Sequence, residues 1–189
     1  MIKIVQKEDK ILRQNVKEVP LKEIPSEKIK KIIADMRKAL FSQEDGVAIA
    51  APQISAAIRI FIVSDKIFDQ NSKKSGPENQ KGYSSKKHLD LVFINPKIIK
   101  ISKKKNFMLE GCLSVRWLYG EVKRSSNVMI EAYDETGKKF TRGAGGLLAQ
   151  IFQHEIDHLN GVLFIDHLLK EKKPLYKVEN DEWEEVELV

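Results

Sequence analysis

The chain has 189 residues, 42% of them hydrophobic and 32% charged, which implies one compact domain with a real core and excludes an intrinsically disordered chain. Its longest strongly apolar stretch, 47–63, is broken by Pro52, Gln53, Ser55 and Arg59, so no membrane span is expected, and the lysine-rich N-terminus lacks the apolar core of a signal peptide. The single cysteine, Cys112, excludes an intrachain disulfide and points to a reducing, cytoplasmic setting.

The formal net charge is +6, but of the 33 basic residues only six are Arg. Arg is the residue of bidentate phosphate and base contacts, so dominance of Lys argues for a solvated basic surface and against sequence-specific nucleic-acid binding. Six acids and no base follow from Glu179 onward, leaving 33 basic and 21 acidic residues before it, a body of +12. Transient proximity to the ribosome is the furthest that this charge carries.

In chain order, Ser26 can cap a helix whose apolar positions Ile29, Ile32, Ile33, Met36, Ala39 and Leu40 recur at helical spacing, ending near Asp45-Gly46. Residues 47–51 read as an extended small-residue segment and 58–63 as a strand. Residues 69–87 are polar and rich in Lys, Ser and Gly, an expected exposed insertion. Two apolar runs, 91–94 and 98–101, flank Asn95-Pro96 and read as two strands. Val128, Ile130 and Ala132 alternate with polar partners ahead of the turn signal Asp134-Glu135-Thr136-Gly137, a hairpin. Gly145-Gly146 opens a second helix, 147–160, closed by Gly161. The segment after Lys170 has weak periodicity. The expectation is an α+β fold, with a catalytic unit over 1–170 and an acidic tail over 171–189.

The second helix carries His154-Glu155-Ile156-Asp157-His158. Two histidines four apart stack on one helix face, so both imidazoles reach one metal ion, and the intervening Glu155 can move protons beside it without binding it. A surface helix with two solvated histidines is the plain alternative; Leu147, Leu148, Ile151 and Leu159 imply a buried helix instead. A catalytic metal usually takes three protein ligands and leaves one position open. Cys112, in Glu110-Gly111-Cys112-Leu113-Ser114, is the candidate third ligand, against its alternative as a small buried hydrophobe. The third element is the segment from Gly46 to Gln53, whose small residues permit close backbone approach and whose terminal amide can steady an oxyanion. Spacing alone leaves that segment equally readable as a plain strand with a polar end.

Together these three motifs, in this order and at these separations, resemble those of the peptide deformylase family over roughly residues 11–168, with Asn95-Pro96 before the second and Gly146-Leu147-Leu148-Ala149 before the third. The resemblance implies small antiparallel β-sheets packed around a central helix that carries the His-Glu-x-x-His run. It implies removal of the N-formyl group from the initiator methionine of nascent peptides; a monomer is expected. By the same resemblance Cys112, His154 and His158 bind a divalent metal, Fe²⁺ before Zn²⁺, Ni²⁺ or Co²⁺. Glu155 then serves as general base and acid, and Gln53 with the Leu113 N–H as oxyanion donors. Val47, Met108, Leu147, Ile151 and His154 shape the methionine pocket, Glu110 stands at its edge, and Ala48 and Gly111 flank the substrate backbone. Arg124 is a candidate partner for Glu110.

The chain departs from the family pattern at Ala48, where Gly is usual, at Arg116-Trp117-Leu118-Tyr119-Gly120, and in its acidic end. Two rival readings are a zinc peptidase taking Glu179 as third ligand and a catalytically silent metal- or RNA-binding protein.

Overall fold

Ser26 caps the first helix as its side chain accepts a hydrogen bond from the Ile29 N–H at 3.4 Å. That helix, α1 (Glu27–Phe41), buries Ile29, Ile33, Met36, Ala39 and Leu40 along one face. It stops several residues short of Gly46: the Gln43 N–H bonds back only three residues, to the Leu40 carbonyl, and the Ser42 hydroxyl donates to the Ala39 carbonyl. The computed structural model describes residues 2–67, 90–179 and 182–187, so the expected insertion at 69–87 lies outside the described residues.

Two antiparallel sheets follow. The first has the order β1-β2-β3-β6-β7, with β1 at Ala48–Ala50, β2 at Ile60–Val63, β3 at Leu91–Ile101, β6 at Asn127–Tyr133 and β7 at Lys139–Gly145. The second has the order β4-β5-β8-β9, from Lys105–Cys112, Val115–Ser125, Leu175–Glu179 and Glu182–Val186 respectively. Helix α2 spans Gly146–Leu159 and α3 Phe164–Glu171. The α+β class with antiparallel sheets is the one expected. Among the described residues no helix is long and apolar enough to cross a membrane.

Three element readings are corrected. The two runs around Asn95-Pro96 form one continuous strand, β3, whose register slips against β6 between Ile94 and Lys97. Asn95 takes a left-handed φ of 52° there, and its buried side chain bonds the Val19 N–H and carbonyl, both at 2.8 Å. A proline in a strand is tolerated at such a bulge. Strand β2 begins two residues late because Ile58 forms a parallel bridge with Lys17 instead. The weakly periodic segment after Lys170 forms the β8–β9 hairpin, bonded to β5 through Leu118↔Lys177 and Tyr119↔Tyr176.

Helix α2 packs against β1, β2, β6 and β7 of the first sheet and touches β5 of the second. Phe152 from this helix meets Phe61 and Phe93 with ring centroids 5.9 and 5.0 Å away. Gly161, at φ 76°, ends the helix where the backbone of Arg13 passes so closely that any Cβ would collide at 2.7 Å. This burial fixes which face of α2 looks toward the second sheet, and on that face stand the two histidines.

Candidate active site

Cys112 ends β4, and His154 and His158 lie one turn apart on α2. Their ligating atoms all fall within 4.8 Å of one another, with the Cys112 sulfur 3.1 Å from His158 Nε2. The structure therefore brings together the three candidate metal ligands from two different layers of the fold. Glu179, the ligand of the rival peptidase reading, is exposed on β8 and paired with Lys177.

The buried surroundings suit a cation. His158 Nδ1 and Glu155 Oε2 are buried side-chain atoms with no hydrogen-bond partner, and such atoms call for an explanation. Burial, helped by the neighbouring His154, holds the His158 imidazole well below its ordinary pKa, and so neutral with a lone pair to give. One sulfur and two imidazoles, with no fourth side chain joining the group among the described residues, match the donor set of a three-ligand site for a divalent metal.

The acidic residues around the site divide sharply. Burial pushes the Glu155 carboxyl up to about 7, against a smaller opposing pull from His154. Burial acts on Glu110 too, but hydrogen bonds from Arg124 and His154 overrule it and hold that carboxyl at about 2. The two carboxyls are thus held far apart, Glu155 able to gain or lose a proton near neutral pH and Glu110 fixed as an anion. Burial alone would lower the pKa of His154; the Cys112 sulfur and the Glu110 carboxylate together raise it well above the ordinary value.

Arg124 does pair with Glu110, through Nε at 2.7 Å and Nη2 at 3.0 Å. Its Nη1 also donates to Asp157 at 2.6 Å, and Asp157 in turn meets His167 Nε2 at 2.8 Å. Glu110 lies 2.9 Å from His154 Nδ1, which fixes the ring and leaves its other nitrogen for the sulfur side. The sequence reading missed Asp157 and His167. Asp157 was visible as an acid on a helix that the flanking leucines mark as buried.

Gln53 sits in a short 3₁₀ turn (Ala51–Ile54) after β1. Its Oε1 accepts the Ala50 N–H at 2.8 Å while Nε2 donates to Ser114 Oγ at 3.1 Å and lies 3.6 Å from the Cys112 sulfur. The amide is thus oriented with its donor toward the sulfur. Gln150, also missed, donates to the Leu109 carbonyl at 2.8 Å and ties α2 to β4.

Part of this arrangement faces a cavity of about 280 Å³. Of the expected site residues, Val47, Ala48, Gln53, Glu110, Gly111, Cys112, Leu113, Leu147, Ile151, His154 and Glu155 line it, and His158 does not. Met108 is not among the lining residues, and its neighbour Leu109 is. Gly111 cannot carry a side chain here, since a Cβ would lie 2.6 Å from the Tyr119 ring.

Residues 1–174 match the family described as polypeptide deformylase. Among curated relatives, peptide deformylase 1A, chloroplastic/mitochondrial, of Arabidopsis thaliana is 38% identical over 167 residues, covering 88% of this chain and 61% of that protein. The chain thus spans about three fifths of that plant relative's length. The peptide deformylase of Psychrobacter cryohalolentis is 38% identical over 154 residues, covering 82% and 73%. Among solved structures, a plant peptide deformylase aligns at a TM-score of 0.72 with 34% identity, over 88% of this chain and 79% of that one. The Acinetobacter baumannii enzyme, solved with Met-Ala-Ser bound, aligns at 0.72 with 28% identity, over 88% and 98%. With the whole of the site inside the matched region, this chain belongs to the polypeptide deformylase family.

Proposed function

We propose that the protein hydrolyses the N-formyl group from the N-terminal methionine of newly made peptides, releasing formate and a free amine. The observation that carries this reading is the convergence on one cavity of Glu155, whose buried Oε2 has no hydrogen-bond partner, the oriented Gln53 amide, and Cys112 and His154, with His158 grouped behind them. A binding site alone would need neither of the first two. The Met-Ala-Ser held by the A. baumannii enzyme has the form of the product expected here.

Cys112, His154 and His158 would hold a divalent cation, which when bound supplies Lewis acidity and acidifies water near neutral pH. Fe²⁺ is the ion proposed, with Zn²⁺, Ni²⁺ or Co²⁺ compatible with the same ligands. Glu155 takes a proton from the attacking water and returns one to the departing amine nitrogen; a carboxyl near 7 suits both transfers. The C–N bond breaks, formate leaves with the water oxygen, and the peptide leaves as its amine. The Gln53 amide and the Leu113 N–H stabilise the negative charge that develops on the formyl oxygen. The side chains of Val47, Leu109, Leu147 and Ile151 take the methionine side chain, while Ala48 and Gly111 let the peptide backbone lie close.

All of these residues fall within 1–170, the stretch proposed as the catalytic unit. Three ligands from a single chain support a monomer as the working form, and the lone cysteine supports a reducing cytoplasmic setting. The basic body supports transient proximity to the ribosome.

The test is anaerobic formate release from formyl-Met-Ala-Ser. Wild-type protein loaded with Fe²⁺ releases formate, and Glu155→Gln keeps its bound metal while turnover falls by about 10²-fold or more. Absence of formate with every one of the four metals overturns the reading.

A further inference from the structure

The β4–β5 ladder loses register beside the metal ligands. Cys112 pairs with Val115 while Gly111 pairs with Tyr119, so Arg116, Trp117 and Leu118 have no partner on β4 and bulge from the strand. Bulges next to active sites re-aim a side chain. Arg116 Nη1 donates to Asp45 and Nη2 to Gln43 Oε1, each at 2.6 Å. Both partners lie in the segment between α1 and β1, and Asp45 also lines the cavity. The same guanidinium lies 5.2 Å from the centroid of the Trp117 ring.

Trp117 itself has φ 63°. A bulky aromatic residue adopts the left-handed region only at a cost, and such strain persists where the surroundings hold it. Burial does not explain the cost, because the side chain is 57% exposed. Its ring lines the cavity that holds Cys112, His154 and Glu155. Leu109 and Leu147, 51% and 36% exposed, line the same cavity. Trp117, Leu109 and Leu147 give that lining an apolar, exposed part, and Arg116 beside them is paired with Asp45.

We propose that Trp117 is a specificity-determining residue whose ring covers a large apolar side chain in the first two positions after the methionine. The Arg116–Asp45 bridge anchors the bulge that presents it. This inference rests on the deformylase reading and adds the class of peptide that the site prefers.

The holoenzyme is assayed on formyl-Met-Leu-Leu-amide and formyl-Met-Ala-Ala-amide. Wild type favours the leucine peptide in kcat/KM by about fivefold, carried by KM, as expected for a side chain partly covered at an open rim. Trp117→Asn, which tolerates the left-handed backbone, brings the ratio below about twofold, and Trp117→Phe restores it. The chain has two tryptophans, so in a Trp183→Phe background the emission of Trp117 shifts on adding Met-Leu-Leu-amide, a readout that needs no turnover. A wild-type ratio near one, a ratio unmoved by Trp117→Asn, or emission indifferent to the peptide overturns the inference while formate is still released. Formate from neither peptide defeats the deformylase reading and this inference with it.

Discussion

Gln53 illustrates how a single side chain acquires a direction. The Ala50 N–H can only donate, so it fixes Oε1 toward itself and Nε2 toward Ser114 and the Cys112 sulfur. Turned over, the amide would set donor against donor. Gln53→Glu keeps the shape and the bond to Ala50 but replaces the inward donor with an acceptor. Formate turnover is expected to fall by about 10²–10³-fold, the usual cost of losing one oxyanion donor, with a thermal midpoint close to wild type by circular dichroism. The orientation of that amide is not legible from the sequence, because the partner that sets it is the backbone N–H of Ala50, which Gln53 reaches only through the turn that follows β1. The ligand trio was legible, since a four-residue helical interval and a lone cysteine leave few other choices. Asp157 escaped because its role depends on Arg124, which reaches it only once β5 lies against α2.

Among the elements, the β6–β7 hairpin was read correctly from alternation and turn residues, and its turn shows why. Asp134 accepts the Thr136 N–H at 2.9 Å, the Thr136 hydroxyl at 2.6 Å and the Lys138 N–H at 3.0 Å, while Gly137 supplies φ 83°. Chiefly through the Thr136 hydroxyl, these bonds lower the Asp134 pKa below its ordinary value. A carboxylate with a depressed native pKa contributes stability above its unfolded pKa and loses it as pH falls through the native one. Asp134→Ala should therefore melt a few degrees below wild type at neutral pH, and the gap should narrow as pH falls below the ordinary carboxylate range. Parallel thermal melts across pH check this. The strand β3 was misread as two because Asn95-Pro96 is a turn signal locally, and only the distant Val19 backbone makes a bulge of it. Long-range rescue of a local breaker leaves no mark on nearby residues.

Across the whole molecule, the C-terminal hairpin is the largest departure from the sequence reading. Its acidic, weakly periodic residues suggested a solvated tail, yet Leu175 is 3% exposed and joins Leu12, Val115, Val122, Leu163, Phe164 and Leu168 in a common cluster. The two strands bury only Leu175, and acids interrupt their other apolar residues, Val178, Trp183 and Val186, too sparse a pattern to announce a two-stranded addition to a sheet. Leu175→Ala is expected to cost about 2–4 kcal/mol, read as a lower urea midpoint, although it lies outside every motif. Metal stoichiometry should stay at one per chain, as the three candidate ligands lie elsewhere. Those ligands also come from separate halves: the sulfur rides on the second sheet, and the imidazoles on a helix seated against the first. A cation gripped by all three would act as a rivet through both plates, fastening chain positions 46 residues apart. Emptied of that rivet, the protein loses its chemistry and its stiffness in a single event, so an idle molecule is also a loosened one.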